Sequence, residues 1–110
     1  MRLLVATLFV LACAGAAHAA SFDCARARAA DERAVCADRA LNDQDVRMAT
    51  MFTFLRGVHA MGAAGAMGDR QREWLTARGR CGGDRACLAR AYRTRIAELQ
   101  RDYDHLPRPF

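Results

Sequence analysis

The sequence predicts a small all-α protein, an antiparallel bundle of about four helices with two disulfide bonds. Proline is absent before Pro107, and alanine, arginine and leucine, which favour helices, dominate the chain. Apolar residues recur at steps of three and four, the spacing that places them on one side of a helix. With 110 residues, of which 53% are hydrophobic and 26% charged, the chain has the composition of one globular domain.

The first nineteen residues have the pattern of a secretory signal peptide. Arg2 provides a positive start, residues 3–12 are apolar, and Ala17-His18-Ala19 forms a small-residue cleavage site. We therefore expect residues 20–110 to form a single domain in the periplasm or outside the cell. The leader is too short for a membrane-spanning helix, and we expect no span in the mature chain. In an alternative interpretation, residues 10–13 are a lipobox and Cys13 carries a lipid anchor.

The four cysteines that follow the leader, Cys24, Cys36, Cys81 and Cys87, suit an oxidising compartment because their number is even. Three pairings are possible. The cysteines form two local pairs along the chain, so we predict bonds between Cys24 and Cys36 and between Cys81 and Cys87. Five residues separate the second pair, more than zinc sites usually allow, and Cys-x-x-Cys redox and haem motifs are absent. We expect no metal and no cofactor.

The first half of the mature chain contains two predicted helices. The first runs from about Ala29 to Cys36. Asp38 then suits an N-cap, because its carboxylate can accept a hydrogen bond from an amide two or three residues later. On the second helix, steps of four and three connect one stripe of residues: Leu41, Asp45, Met48, Phe52, Leu55 and His59.

Asp45 is the one acidic residue in this stripe, and two interpretations of it remain. It lies at a solvated edge, or its carboxylate turns inward toward an arginine, because burying it without a partner is costly. Arg78 and Arg95 are the candidate partners. We favour an internal ion pair over a recognition element, and we expect His59 at the helix edge or in the connection that follows.

Residues 61–68 contain three glycines among alanine and methionine, which predicts a flexible connection or a frayed helix end. The segment lacks the lysine of a phosphate-binding loop. Asp69 then suits the cap of a third helix, whose predicted inner face carries Gln71, Trp74, Leu75 and Arg78. We expect Trp74 to be a core residue.

Gly79 weakens the end of the third helix, and residues 81–84 form the predicted turn. Asp84 suits the cap of a fourth helix that Pro107 ends. Its predicted inner stripe is Leu88, Tyr92, Arg95 or Ile96, Leu99 and Tyr103. We expect the Tyr92 ring to pack inward with its hydroxyl hydrogen-bonded.

These residues also form a recognisable pattern. The chain contains Glu32-x-x-Val35-Cys36, Asp38-x-x-Leu41, Asp45, Gln71-x-x-Trp74-Leu75-x-x-Arg78-x-x-Cys81 and Cys87-Leu88-x-x-x-Tyr92-x-x-Arg95-Ile96-x-x-Leu99. Over residues 22–99 this pattern resembles the LprI-type lysozyme-inhibitor family of small, exported, disulfide-containing helical domains. The motif residues of the resemblance outside the cysteines are Glu32, Asp45, Gln71, Trp74, Arg78, Tyr92 and Arg95. The chain departs from the family at Gln44, at Phe52 and in residues 58–68, which are unusually rich in glycine.

The resemblance implies a binding protein that blocks the cleft of a lysozyme, or binds another envelope protein. The net charge of +5 in the whole chain, with seventeen arginines and no lysine, opposes the approach of a cationic lysozyme. Guanidinium groups can nevertheless pair with the carboxylates of a glycosidase cleft. Local pairing at the interface must therefore outweigh the repulsion between the whole molecules.

Other function classes fit the sequence less well. We predict no enzymatic activity, because the mature chain has a single serine, Ser21, and no marked nucleophile and base. The alternative to an inhibitor is an envelope adaptor whose outward arginines meet anionic lipid or polymer. These are Arg70, Arg72, Arg90, Arg93 and Arg101. Nucleic acid is not an expected partner, because the leader directs the chain out of the cytoplasm.

Overall fold

The computed structural model describes residues 20–108, so the predicted signal peptide and the alternative lipidation at Cys13 lie outside the described residues. A short 3-10 turn, Cys24–Arg26, precedes four helices: α1 (Ala30–Ala37), α2 (Arg39–Val58), α3 (Met61–Arg80) and α4 (Arg85–Asp104). The described chain contains no strand. The all-α prediction with four helices is confirmed.

Two of the three predicted caps are present. The Asp38 carboxylate accepts a hydrogen bond from the Leu41 amide at 3.0 Å, and the Asp84 carboxylate accepts one from the Cys87 amide at 3.1 Å. Each cap satisfies a backbone donor that the first turn of the helix leaves open. α2 and α4 therefore begin where the sequence predicts.

The prediction that Asp69 caps the third helix is wrong, because α3 begins at Met61 and Asp69 lies inside it. The glycine-rich segment is helical, and the connection between α2 and α3 is only His59 and Ala60. Alanine and methionine are good helix formers, and Met67 gains core burial, being only 1% exposed. Together these gains offset the helical cost of the glycines.

Replacing Gly62 and Gly65 with alanine is expected to stabilise the protein. A Cβ at either position meets no atom within 4 Å, so the helix gains about 0.5–1 kcal/mol at each site. Urea unfolding followed by circular dichroism measures the change. Gly82→Ala is the matched control and is expected to destabilise, because Gly82 has a φ of +56°. An unchanged free energy of unfolding in the Gly62 and Gly65 variants would contradict a helix that starts at Met61.

The core lies mainly between α2 and α4, with α1 and α3 packed around this pair. Its buried apolar residues are Val35, Leu41, Met48, Leu55, Met67, Leu88, Tyr92, Ile96 and Leu99. Two residues expected on inner faces are exposed, Leu75 to 39% and Tyr103 to 48%. The inner face of α3 is narrow, so Leu75 lies at its edge beside Trp74. Tyr103 lies one turn beyond Leu99 and packs against the half-exposed Phe54.

Both predicted disulfide bonds are present. Cys24–Cys36 joins the N-terminal turn to the end of α1, and Cys81–Cys87 closes the turn between α3 and α4. The Cα–Cα distances of 5.8 and 5.5 Å are usual for disulfides. Among residues 20–108, no helix combines the length and hydropathy needed to cross a bilayer.

Candidate functional site

Arg78 is the centre of a buried polar network to which each helix contributes one side chain. Its Nε donates to Asp31 Oδ2 of α1 at 2.9 Å, and its Nη1 donates to the Tyr92 hydroxyl of α4 at 3.2 Å. The same Nη1 lies 3.7 Å from Asp45 Oδ1 of α2. Asp45 is fully buried. The inward interpretation of Asp45 is therefore confirmed, with Arg78 as its partner.

The Tyr92 hydroxyl links the two charged groups on either side of it. It donates to Asp45 Oδ1 at 2.9 Å while it accepts from Arg78. The ring packs edge-on against Trp74 at a centroid distance of 5.1 Å. The predicted inward ring and bonded hydroxyl of Tyr92 are confirmed.

Aromatic rings cover the Arg78 guanidinium. Its Cζ lies 5.4 Å from the centroid of the Phe22 ring and 5.7 Å from that of Trp74. Trp74 is half-buried against the core, and its Nε1 donates to the Ala91 carbonyl oxygen at 3.0 Å. The indole therefore both packs and fixes the distance between α3 and α4.

Burial and neighbouring charges set the proton affinities in this network. Burial raises the pKa of the Tyr92 hydroxyl, and the negative charge of Asp45 raises that pKa further. Burial alone would lower the pKa of Arg78, but the interaction with Tyr92 and the hydrogen bond that Arg78 donates to Asp31 outweigh burial and raise that pKa. At neutral pH the network therefore contains a cationic Arg78 and a neutral Tyr92.

Stability is expected to fall as the pH rises above about 10, the ordinary pKa of tyrosine. The folded state keeps Tyr92 neutral after the unfolded chain has begun to ionise, because the folded-state pKa is raised. The stabilising contribution is complete below pH 10 and is lost as the pH approaches the folded-state pKa. Urea unfolding at successive alkaline pH values measures the slope, with Tyr92→Phe for comparison. An equal slope in that variant would contradict the assignment to Tyr92.

A second set of polar contacts surrounds Arg95, which is 1% exposed. Its Nε donates to Gln71 Oε1 at 3.0 Å, and its Nη1 donates to Glu98 Oε2 at 3.0 Å. The Gln71 amide in turn donates to the Met48 sulfur at 3.1 Å. Arg95 therefore pairs with Glu98 and is not the partner of Asp45.

The motif residues Glu32, Gln71 and Arg78 meet at a cavity of about 420 Å³. Ser21, Phe22 and Leu75 form part of its wall. Glu32 is half-buried there. The structure thus brings five of the seven motif residues into two adjoining polar networks. It packs Trp74 on Arg78 and Tyr92 and places Glu32 beside the networks.

Sequence reasoning missed three contributors to this site: Asp31, Ser21 and Phe22. Asp31 is not among the predicted site residues, but it is 5% exposed and paired with Arg78. Asp31 lies four residues before the buried Val35, a spacing that places both on one side of α1. That spacing could have predicted the burial of Asp31. Ser21 and Phe22 precede the first helix and carried no such signal.

A second concave surface lies between α2 and α4 on the outside of the bundle. This groove has a volume of about 410 Å³ and is lined by Arg47, Thr50, Met51, Phe54, Leu55, Gln100 and Tyr103. The Phe54 and Tyr103 rings lie 6.0 Å apart across it. We call this surface the aromatic groove.

The remaining candidate residues lie at the surface or at helix ends. His59 is the half-buried C-cap residue of α2, at the helix edge as expected. The five outward arginines are exposed, but Arg70 pairs with Asp102 at 3.6 Å and Arg72 pairs with Asp69. Residues 20–108 contain no group of three or more histidine, cysteine, aspartate or glutamate residues placed to hold a metal ion.

Comparison with known proteins gives no match: no family model, no curated protein and no solved structure matches this chain.

Proposed function

We propose that this is an exported, non-enzymatic binding protein that inhibits a lysozyme by covering its substrate cleft. The sequence motif supports this class of protein through its resemblance to the LprI-type inhibitors. The aromatic groove is the structural observation that carries the proposal, because it offers an exposed apolar contact surface on the bundle.

The composition of the aromatic groove suits a protein interface. Phe54 is 50% exposed and Tyr103 48% exposed. The exposed Val46 and Val58 lie on the same side of α2, eight residues before Phe54 and four residues after it. Exposed apolar patches mark interaction sites, and aromatic residues and arginine are enriched where binding energy concentrates. Arg47 lines the same groove and can form a bidentate pair with a cleft carboxylate.

A cell-wall lysis assay tests the proposal with oxidised protein covering residues 20–110 and lysozymes of several types. We expect inhibition near equimolar concentration. Phe54→Ala is expected to weaken inhibition about 30-fold, the effect of losing about 2 kcal/mol at an interface. Met61→Ala is the matched control, since Met61 is 93% exposed and does not line the groove. No inhibition at large excess over any lysozyme would reject the proposal.

The alternative function is an envelope adaptor that binds anionic lipid or polymer. Three exposed arginines of α4, Arg90, Arg93 and Arg101, support it. The pairing of Arg70 and Arg72 with aspartates weakens it, because those charges are already compensated. Sedimentation with anionic vesicles at increasing salt tests this alternative, and an adaptor is expected to dissociate toward physiological ionic strength.

A further inference from the structure

The segment that follows the predicted leader contacts the buried site. The Ser21 backbone amide donates to Asp45 Oδ2 at 2.6 Å, the carboxylate oxygen that does not accept from Tyr92. Phe22 packs against the core and against the Arg78 guanidinium. The first residues of the mature chain therefore supply a hydrogen bond to the second oxygen of a fully buried carboxylate.

Among residues 20–108, the charges around Asp45 do not balance without another cation. Asp31 and Asp45 are the two acids of the network and Arg78 is its one cation, while Tyr92 is neutral. The other buried arginine, Arg95, is paired with Glu98 and is bonded to Gln71. Glu32 lines the adjoining cavity beside Ser21, Phe22 and Arg78, and adds further negative charge. A surplus buried carboxylate is costly unless a positive group lies nearby.

We propose that cleavage of the Ala19–Ala20 bond completes this network, because the new α-ammonium group of Ala20 supplies the missing positive charge beside Asp45. In the cleavage, a peptidase adds water across the bond, which leaves a carboxylate on Ala19 and an amine on Ala20 that takes up a proton. Neighbouring backbone nitrogens are at most about 3.7 Å apart, so the ammonium lies within about 6 Å of the Asp45 carboxylate. At that range opposite charges stabilise each other in a partly buried site.

Cleavage of the leader therefore couples export to folding. A chain that retains its leader has a neutral amide at Ala20 and therefore a surplus negative charge in its core. The processed chain gains the ammonium and becomes more stable once it has crossed the membrane. Ala20 thus marks the cleavage position, and its charged amino group also stabilises the buried Asp45 carboxylate.

Acetylation of the amino terminus tests the proposal, because it removes the charge and leaves the sequence unchanged. Residues 20–110 are prepared with a free and with an acetylated terminus. We expect acetylation to lower the melting temperature by about 4–8 °C at neutral pH, the usual effect of one modest interaction in a domain of this size. Equal melting temperatures would overturn the proposal.

Two variants localise the effect. In an Asp45→Asn background, acetylation is expected to have no further effect, because the partner charge is gone. Asp23→Asn is the control, since Asp23 lies only three residues after Ala20 in the sequence but its carboxylate accepts from the Ala25 amide and pairs with Arg26. In the Asp23→Asn variant, acetylation is expected to lower the melting temperature by the full amount. An effect of acetylation that survives Asp45→Asn unchanged would overturn the assignment to Asp45.

The mass of the exported native protein gives an independent result that does not require any variant to fold. A product that begins at Ala20 with an unmodified amine supports the proposal. A product that begins elsewhere, or that carries an acyl group at Cys13, overturns it.

Discussion

Replacing Arg78 with methionine is expected to lower the free energy of unfolding by about 3–5 kcal/mol. Methionine keeps an unbranched apolar side chain in place of the arginine stem, but it leaves Asp31 and Asp45 buried without a guanidinium. Removing one partner from a buried ion pair costs about 3–5 kcal/mol. The core of a domain this small contributes about the same amount. Urea unfolding followed by the fluorescence of Trp74, the one tryptophan of the sequence, measures the loss.

Arg85→Met is the matched control, because Arg85 makes an ion pair at the surface. Its side chain is 71% exposed and pairs with Asp38, so its loss is expected to cost less than about 1 kcal/mol. Neutralising both acids with Asp31→Asn and Asp45→Asn in the Arg78→Met background is expected to recover part of the stability. If Arg78→Met lowers the free energy of unfolding no more than Arg85→Met does, the buried network does not hold the four helices together.

Local sequence patterns predicted the parts of this fold that depend on nearby residues. Asp38 and Asp84 cap helices because a carboxylate reaches amides three residues away, an interaction that needs no distant partner. The place of Asp45 in an apolar stripe gave its inward position as one of two interpretations. The cysteine pairing followed from the short separations of 12 and 6 residues.

Features that depend on distant contacts were not predicted from the sequence. α3 extends through its glycines because Met67 is buried in the core, and a local propensity argument does not include that gain. Asp31 is buried because Arg78, 47 residues later, compensates its charge. The hydrogen bond from Ser21 to Asp45 spans 24 residues and uses a backbone amide, which every sequence offers. Side-chain type alone therefore cannot identify it.

Removing the Cys24–Cys36 bond with paired alanine substitutions is expected to lower the free energy of unfolding by about 3 kcal/mol, against about 2 kcal/mol for the Cys81–Cys87 bond. Chain entropy favours the first bond because its cysteines are 12 residues apart, compared with 6 for the second.

The Cys24–Cys36 bond also restricts the segment that carries Ser21 and Phe22 to Asp45 and Arg78. Its loss should therefore weaken the polar network as well as enlarge the unfolded ensemble. Urea unfolding of both paired variants measures the two effects. The Cys81–Cys87 variant is the control, because its cysteines close the turn between α3 and α4. A larger loss in that control than in the Cys24–Cys36 variant would mean that the N-terminal segment contributes little to the stability of the site.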